Sequence, residues 1–573
     1  MGTVRSRPGR QWLPGLVTAR SYERAWLRHD LVAGAVLAAL LVPAGIGYAQ
    51  VAGLPPETGL YATVVPLLAY ALVGPSRILV LGPDSTLAPI IGASVLPLAG
   101  GDADRAVALA GLLAVLVGVV LVVGGLACLG VLADLLSKPI RIGYLNGIAL
   151  IVVVGQLPGL LGFSNDARSF PGEVEAIVTE VADGAVDPRV LAIGVTSLLV
   201  IAASRRWART RALGVFAVVL GGSALVAALG WTDEVPVVGA MPTGFPAPTL
   251  GGLRLDDVTS LLVPALGIAL IAYADSGVLS RTLAVRRGDH VDGSQEMGAI
   301  GVANVAAGLS GGFPISASSS RTPVAAHAGA RTQLTGVVGA ALVLAFVVLA
   351  PEATAHLPSA ALAAVVIVAA SSLVDLAGLR WLARVAPVEA ALSLAAFLGV
   401  VLVGVLEGIA IALGLSVVAF LHQAWRPYRA VLGRRPGVRG YHDLARHPHG
   451  ERIPGVVIVR FDAPLFFANG GIFDDFVRSA IDAADDDVHT VILAAEPITD
   501  IDSTALDELV ELDDHLARRG ITLWLAEMKG PVKDRLARYG LAERFGPERF
   551  KPTVGAAVDE ITGRLRSDID LEP

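Results

Sequence analysis

Leu309-Ser310-Gly311-Gly312-Phe313-Pro314-Ile315-Ser316-Ala317-Ser318-Ser319-Ser320-Arg321-Thr322 interrupts a long apolar stretch with paired glycines, a proline and a run of hydroxyls. An earlier segment, Ile78-Leu79-Val80-Leu81-Gly82-Pro83-Asp84-Ser85-Thr86, follows the same grammar: a short apolar run, a Gly-Pro break, then hydroxyls that open a helix. Paired breaks in corresponding halves of an apolar chain point to a transporter's ligand site. Either segment alone could be a kink whose hydroxyls re-satisfy the backbone; the pair favours a site. A helix N-terminus leaves free N–H groups and about half a positive charge, so two opposed N-termini predict an anion site. Each hydrogen bond to a charged group is worth about 1.5–3 kcal/mol net, so several are needed to offset a stripped hydration shell.

The surrounding composition supports a membrane setting. Of 573 residues, 54% are hydrophobic and 17% charged, and the mean hydropathy is +0.66. Soluble domains carry about 25% charged residues, so a soluble enzyme is excluded. The apolar content excludes disorder, and the single cysteine, Cys128, excludes a disulfide framework. The net charge of −7 conceals clustered basic residues.

A hydrocarbon core of about 30 Å needs about 20 apolar residues per helix. Leu31–Gln50, Ala106–Ala127, Leu261–Gly277, Leu334–Ala350 and Ser393–Leu421 meet this, the last as two spans around Glu407-Gly408. The first reads as a transmembrane helix rather than a cleaved signal peptide. Basic clusters fall at Arg5, Arg7, Arg10, Arg20, Arg24 and Arg28, at Lys138 and Arg141, and at Arg205, Arg206, Arg209 and Arg211. Others follow at Arg281, Arg286 and Arg287, at Arg380 and Arg384, and at Arg426, Arg429, Arg434 and Arg435. Loops 163–188 and 231–257 are acidic by comparison. Of twelve to fourteen possible crossings, about fourteen puts every basic cluster on one side, with both termini cytoplasmic.

Polar residues inside the apolar blocks are the candidate machinery. Asp275 ends a long apolar run and reads as a cation or proton site, or as a solvated acid at the helix end. Asp84 reads as an N-cap or as a second titrating acid. Glu407 fits an external turn. In Pro43-Ala44-Gly45-Ile46-Gly47-Tyr48, the glycines suit close helix packing, and Tyr48 is either an interfacial anchor or a wall of the site.

Several stretches resemble the sulfate permease (SulP) family of anion transporters. They are Asp30-Leu31-Val32-Ala33-Gly34, Gly53-Leu54-Pro55-Pro56-Glu57-Thr58-Gly59-Leu60-Tyr61-Ala62, Gly74-Pro75-Ser76-Arg77, Asn304-Val305-Ala306, Gly311-Gly312-Phe313-Pro314 and Gly329-Ala330-Arg331-Thr332. The resemblance covers nearly the whole chain. It implies a polytopic α-helical membrane protein of fourteen transmembrane helices in a seven-plus-seven inverted repeat, with core helices moving against a gate. It implies an anion held by Ser85 and Thr86 on one side and Ser316, Ala317 and Ser318 on the other, with Tyr48 as the aromatic and Asp275 as the coupling acid. Where many members have Gln, this chain has Ala44. Leu279 stands where sodium-coupled members look to carry a hydroxyl residue, which favours proton coupling, although Ser276 or Ser280 could substitute. Asp84 replaces a small or apolar residue and adds a second candidate coupling acid.

Beyond Gly455 the pattern becomes soluble. Val456–Phe461, Val488–Ala494 and Ile521–Ala526 read as strands, and Ser503–Arg519 and Pro531–Tyr539 as helices, predicting a small cytoplasmic α/β domain. Phe461-Asp462-Ala463-Pro464-Leu465-Phe466-Phe467 and Asp500-Ile501-Asp502-Ser503-Thr504 resemble the STAS domain shared with anti-sigma-factor antagonists, in which a serine of the matching loop is phosphorylated, and this resemblance implies Ser503 as a regulatory candidate. By themselves Asp502, Ser503 and Thr504 read as a helix cap. His442, His447 and His449 fit a solvated linker.

The expected division is 1–30 N-terminal segment, 31–425 transport domain, 426–454 linker, 455–565 STAS domain and 566–573 tail. The expected function is proton-coupled sulfate uptake by alternating access. A bicarbonate or dicarboxylate carrier (proton- or sodium-coupled, or an exchanger) is the first alternative, and an anion-sensing regulator signalling through the STAS domain the second. No Walker loop, metal-ligand quartet or nucleophile elbow is visible, so neither enzymatic activity, cofactor, metal nor nucleic acid is expected. The expected partners are an inorganic anion, a proton, membrane lipid and a second copy of the chain.

Overall fold

The computed structural model describes residues 13–130, 137–164, 170–205, 211–241, 251–289, 291–318, 321–484 and 487–563. Arg5, Arg7, Arg10, Arg206, Arg209, Ser319, Ser320 and the 566–573 tail lie outside the described residues. The chain forms two compact units, Met1–Ser416 and Val417–Pro573.

The first unit is helical. It runs α1 (Pro14–Arg20), α2 (Leu27–Val51), α3 (Pro56–Val73), strand β1 (Leu81–Gly82), α4 (Ala88–Ala99), α5 (Ala103–Leu126), α6 (Lys138–Gly155), α7 (Leu157–Leu161), α8 (Phe170–Ala182), α9 (Pro188–Arg205) and α10 (Arg211–Leu229). It continues with α11 (Leu255–Arg287), α12 (Gly293–Leu309), strand β2 (Ser316–Ala317), α13 (Arg321–His327), α14 (Leu334–Leu349), α15 (Ser359–Ser371), α16 (Leu376–Val385), α17 (Pro387–Leu398) and α18 (Val405–Trp425), the last reaching into the second unit. Among the described residues six helices are long and apolar enough to cross a membrane, and five shorter apolar helices accompany them.

Side-chain chemistry sets the helix ends. Pro56 and Pro139 occupy first turns, where a missing N–H breaks no intrahelical bond. Asp102 caps α5 by accepting from the amides of Asp104 and Arg105, and Asp292 caps α12 by accepting from Gln295. The last apolar window splits as expected, but at Gly404 rather than at Glu407-Gly408. Gly404 takes φ +142°, which a residue without Cβ adopts without strain, and Glu407 is exposed in the first turn of α18.

The helices pack in two groups: α2, α3, α5, α11, α12 and α14 in one, and α6, α9, α10, α15 and α17 in the other. In lipid, apolar contact alone gives little drive for association, so close backbone approach does the holding. A Cβ on Gly59 of α3 would lie 1.9 Å from the Gly45 carbonyl of α2, so this crossing admits only glycine. At the base of α2, buried Asp30 accepts from the amides of Arg331 (2.7 Å) and Thr332 (3.1 Å) and the hydroxyls of Thr332 (2.7 Å), Thr335 (2.9 Å) and Tyr22 (3.1 Å). Two of the quoted family stretches thus form one clamp between α2 and α14.

The second unit is an α/β domain. Its sheet has the order β4-β3-β5-β6-β7-β8, built from β3 (Arg429–Arg434), β4 (Tyr441–Asp443), β5 (Val456–Phe461), β6 (Thr490–Ala494), β7 (Thr522–Ala526) and β8 (Phe550–Lys551). Strands β5 to β8 are parallel, and β3 runs antiparallel to both neighbours. Helices α19 (Gly470–Asp482), α20 (Ser503–Arg518), α21 (Gly530–Arg538) and α22 (Val554–Thr562) complete it. The segment 426–454, expected as a linker, contains β3 and β4, and β3 pairs with β5 of the sheet. Arg429 and Arg434 bound β3 with exposed side chains, which disguised it, while Ala430 and Leu432 enter the core beside Ile458.

Candidate anion site

The two broken segments meet. β1 and β2 form a two-stranded antiparallel sheet with Leu81 opposite Ala317 and Gly82 opposite Ser316. Backbone unwound inside an apolar bundle must find other partners, and the sequence supplies them. The Val80 carbonyl accepts from the Ser318 amide (3.0 Å), and the Val80 amide donates to Thr322 Oγ1 (3.1 Å). Asn304 donates to the Ile315 carbonyl (3.1 Å) and accepts from its amide (2.9 Å). Gln333 Nε2 donates to the carbonyls of Ser76 (2.8 Å) and Leu79 (3.0 Å). Ser276 Oγ accepts from the Ala317 amide (2.9 Å), tying β2 to α11 one residue after Asp275.

These bonds occupy the amides of Ala317 and Ser318, two groups expected to serve the anion. Ser318 Oγ also accepts from the Arg321 amide at 3.2 Å, a capping contact. What remains at the junction are side chains. Ser316 Oγ and the Nε and Nη1 atoms of Arg321 are buried, with no hydrogen-bond partner among the described residues. Arg321 is 4% exposed. Its Nη2 donates to the Pro83 carbonyl, its guanidinium lies 5.9 Å from the centre of the Tyr48 ring, and Nη2 lies 3.7 Å from where a Cβ on Gly82 would stand.

Most of the expected site residues gather here. Tyr48, Ser85, Thr86, Ser316, Ala317 and Ser318 are all buried. Tyr48 lies beside Ser85 and Arg321 and is enclosed rather than interfacial. Asp84 accepts from the Thr86 amide (3.2 Å), closing the turn into α4, and lies within electrostatic reach of Arg321. Asp275 is half-buried inside α11 and not at its end, within reach of Asp84 and Arg141. Ser503 belongs to the other unit, exposed at the first residue of α20. There Asp502 is the cap, accepting from the amides of Ala505 (2.8 Å) and Phe467 (2.8 Å).

Two groups escaped the sequence reading. Arg321 was visible only as the end of a serine run; its signal is a lone cation inside an apolar block. Glu296, 1% exposed, accepts from Tyr70 (2.5 Å) and Ser280 (2.7 Å) and joins α3, α11 and α12. It follows Asp292-Gly293-Ser294, a polar run that looks like solvent.

Comparison with known proteins places this arrangement. The profile of the sulfate permease family matches residues 27–396, and that of the STAS domain matches 447–557. The chain belongs to the sulfate permease family. Probable sulfate transporter Rv1739c of Mycobacterium tuberculosis is 40% identical over 557 residues, 96% of this chain and 98% of that protein. Sulfate transporter 4.1, chloroplastic, of Arabidopsis thaliana is 30% identical over 93% of this chain and 80% of its own. Among solved structures, the murine Solute Carrier 26 family member A9 anion transporter in the inward-facing state superposes with a TM-score of 0.88 at 21% identity, covering 98% of this chain and 97% of its own. The transmembrane domain of a cyanobacterial bicarbonate transporter, BicA, gives 0.59 at 21% identity over 69% of this chain and 98% of its own. These two likenesses establish the fold. The protein is thus a membrane-embedded member of a transporter family, with a C-terminal STAS domain.

Proposed function

We propose that this sulfate permease homologue carries sulfate inward together with protons by alternating access. The observation that carries the reading is the junction where the two broken segments pair: Ser316 opposite Gly82 and buried Arg321 at Pro83 carry a hydroxyl and two nitrogens without hydrogen-bond partners among the described residues. An arginine fork matches a tetrahedral oxyanion, and Ser85 and Thr86 supply hydroxyls from the opposite segment. Asp84 competes with the anion for Arg321. Protonating Asp84 removes that competition, so proton and anion binding strengthen one another by the same factor. Asp275 is the second acid through which a proton would couple.

The proposed topology is fourteen crossings, taking α2–α6, α9–α15, α17 and α18 as the membrane helices. In this count the third member of each half, α4 and α13, is short and preceded by a strand, as an inverted repeat requires. An even number of crossings leaves both termini on one side, and the basic loops favour the cytoplasm. The two helix groups, which meet where α2 packs against α10 and α15, are the proposed core and gate, and a homodimer is the proposed assembly.

Radiolabelled sulfate uptake into proteoliposomes, under an inward proton gradient, a sodium gradient, or neither, tests this. Proton-stimulated uptake that Asp275→Asn loses is expected. No sulfate uptake under any gradient would overturn the substrate, and bicarbonate and dicarboxylates would be tested next.

A further inference from the structure

Two of the family stretches quoted above contribute no side chain to the anion site. Pro75, Ser76 and Arg77 of the first, Gly74-Pro75-Ser76-Arg77, line a different cavity of about 200 Å³, at the end of α11, and the second, Gly329-Ala330-Arg331-Thr332, is tied to its Arg287 through the Ala330 carbonyl. One water takes about 30 Å³ of liquid, so this space holds several waters or one compact anion. Thr18, Ser76, Arg77, Arg287 and Asp289 line it. Arg287 donates one Nη2 bond to the Ala330 carbonyl (2.8 Å), and Arg77 and Arg331 both lie within electrostatic reach of it. Among the described residues none of these three arginines forms an ion pair. Two acids stand near Arg287: Asp289, and Asp30, which already accepts from five donors. Three solvent-exposed arginines, two of them lining the cavity, therefore gather near Asp289, which has no side-chain hydrogen bond or ion pair among the described residues.

The surroundings indicate an interface. The cavity opens beside Arg287, just past the apolar span 255–285. Its rim includes α1, whose Leu16 and Val17 are 44% and 46% exposed, with Leu13 at 45% just before it. A short helix showing apolar residues next to basic ones suits the headgroup layer.

We infer that the Arg77–Arg287 cavity is a second anion site, separate from the transport site, which binds a phosphate-bearing group at the membrane surface. The source is either the headgroup of an acidic phospholipid or a free phosphate ion. Both present oxygens to the arginine forks and to the Thr18 and Ser76 hydroxyls.

The test uses the full-length protein in detergent and follows Tm during titration with phosphatidylglycerol, phosphatidylcholine or inorganic phosphate. Wild type is compared with Arg77→Gln, Arg287→Gln and the double variant. Losing a charge-assisted pair should weaken the response about ten- to a hundredfold. A phosphatidylglycerol shift that phosphatidylcholine lacks and the variants lose assigns the site to lipid. A phosphate shift that the variants lose assigns it to the free ion; phosphate bound at the transport site would still be felt in Arg77→Gln. Arg77 has no hydrogen bond or ion pair among the described residues, so its single variant remains a usable probe if the double variant misfolds. Wild type unmoved by both ligands, or folded variants that respond as wild type does, would overturn the inference.

Discussion

Asp30 and Arg321 are both charged, both buried at 0% and 4% exposure, and both held in the same helical unit. Their surroundings differ. Asp30 receives five hydrogen bonds and joins α2 to α14. The Arg321 side chain donates to one carbonyl and leaves Nε and Nη1 without hydrogen-bond partners among the described residues. A charge removed from water is costly unless fully partnered. A saturated cluster therefore holds the fold together, and an unsaturated one keeps its capacity for a ligand. Burial alone does not separate the two; the count of unmet donors does.

That contrast can be broken by substitution. The largest effect should come from Asp30→Ala, which leaves five donors without their acceptor. A loss of at least about 3 kcal/mol is expected, seen as a lower Tm and a poorer monodisperse yield in size-exclusion chromatography. A folded, equally stable variant would mean that saturation does not mark structural charges here.

Arg321→Gln should do the opposite. Sulfate uptake is expected to fall at least about a hundredfold, as two or three charge-assisted bonds vanish, while Tm stays level or rises. A fall in Tm with normal uptake per folded molecule would make Arg321 a structural residue. Next in size, Asp84→Asn removes the carboxylate that competes for Arg321. It should flatten the pH dependence of uptake while leaving transport measurable, and an unchanged pH profile would remove Asp84 from coupling.

The smallest effect belongs to a polar pair at the surface of the second unit. The Tyr428 hydroxyl donates to Asp443 and holds that carboxyl below its ordinary value. A depressed carboxyl stabilises the fold above the unfolded aspartate range, and that contribution fades as pH falls through the folded value. Tyr428→Phe should therefore leave Tm nearly unchanged in acid and lower it slightly near neutrality. A large change at any pH would show that exposed pairs carry more weight here than solvent screening allows.

Much of the fold was legible because its signals are local. The apolar windows became α2, α5, α11, α14 and the α17–α18 pair, and the later strands and helices appear as β5, β6, β7, α20 and α21. The strand β3 was hidden by its terminal arginines, and α19 followed the strand–loop reading of Phe461–Phe467 without being anticipated. At the candidate site, the buried hydroxyl residues were legible from the Gly/Pro breaks that precede them. Arg321 was missed because it sits three residues after Ser318 and looks like the charged end of a polar loop.

Composition and the paired breaks by themselves determined a membrane-embedded helical chain with an α/β tail, and the quoted motifs determined its family. Those depend on hydropathy and backbone chemistry, which each segment carries alone. The tertiary structure decided which polar groups are spent and which are free. Ser276, Asn304 and Gln333 come from distant helices to satisfy the unwound backbone. Only after those bonds are made do Ser316 Oγ and the Nε and Nη1 atoms of Arg321 remain without hydrogen-bond partners among the described residues. Hydrogen-bond satisfaction is a property of what the folded chain brings within about 3 Å, and no stretch of sequence read alone contains it.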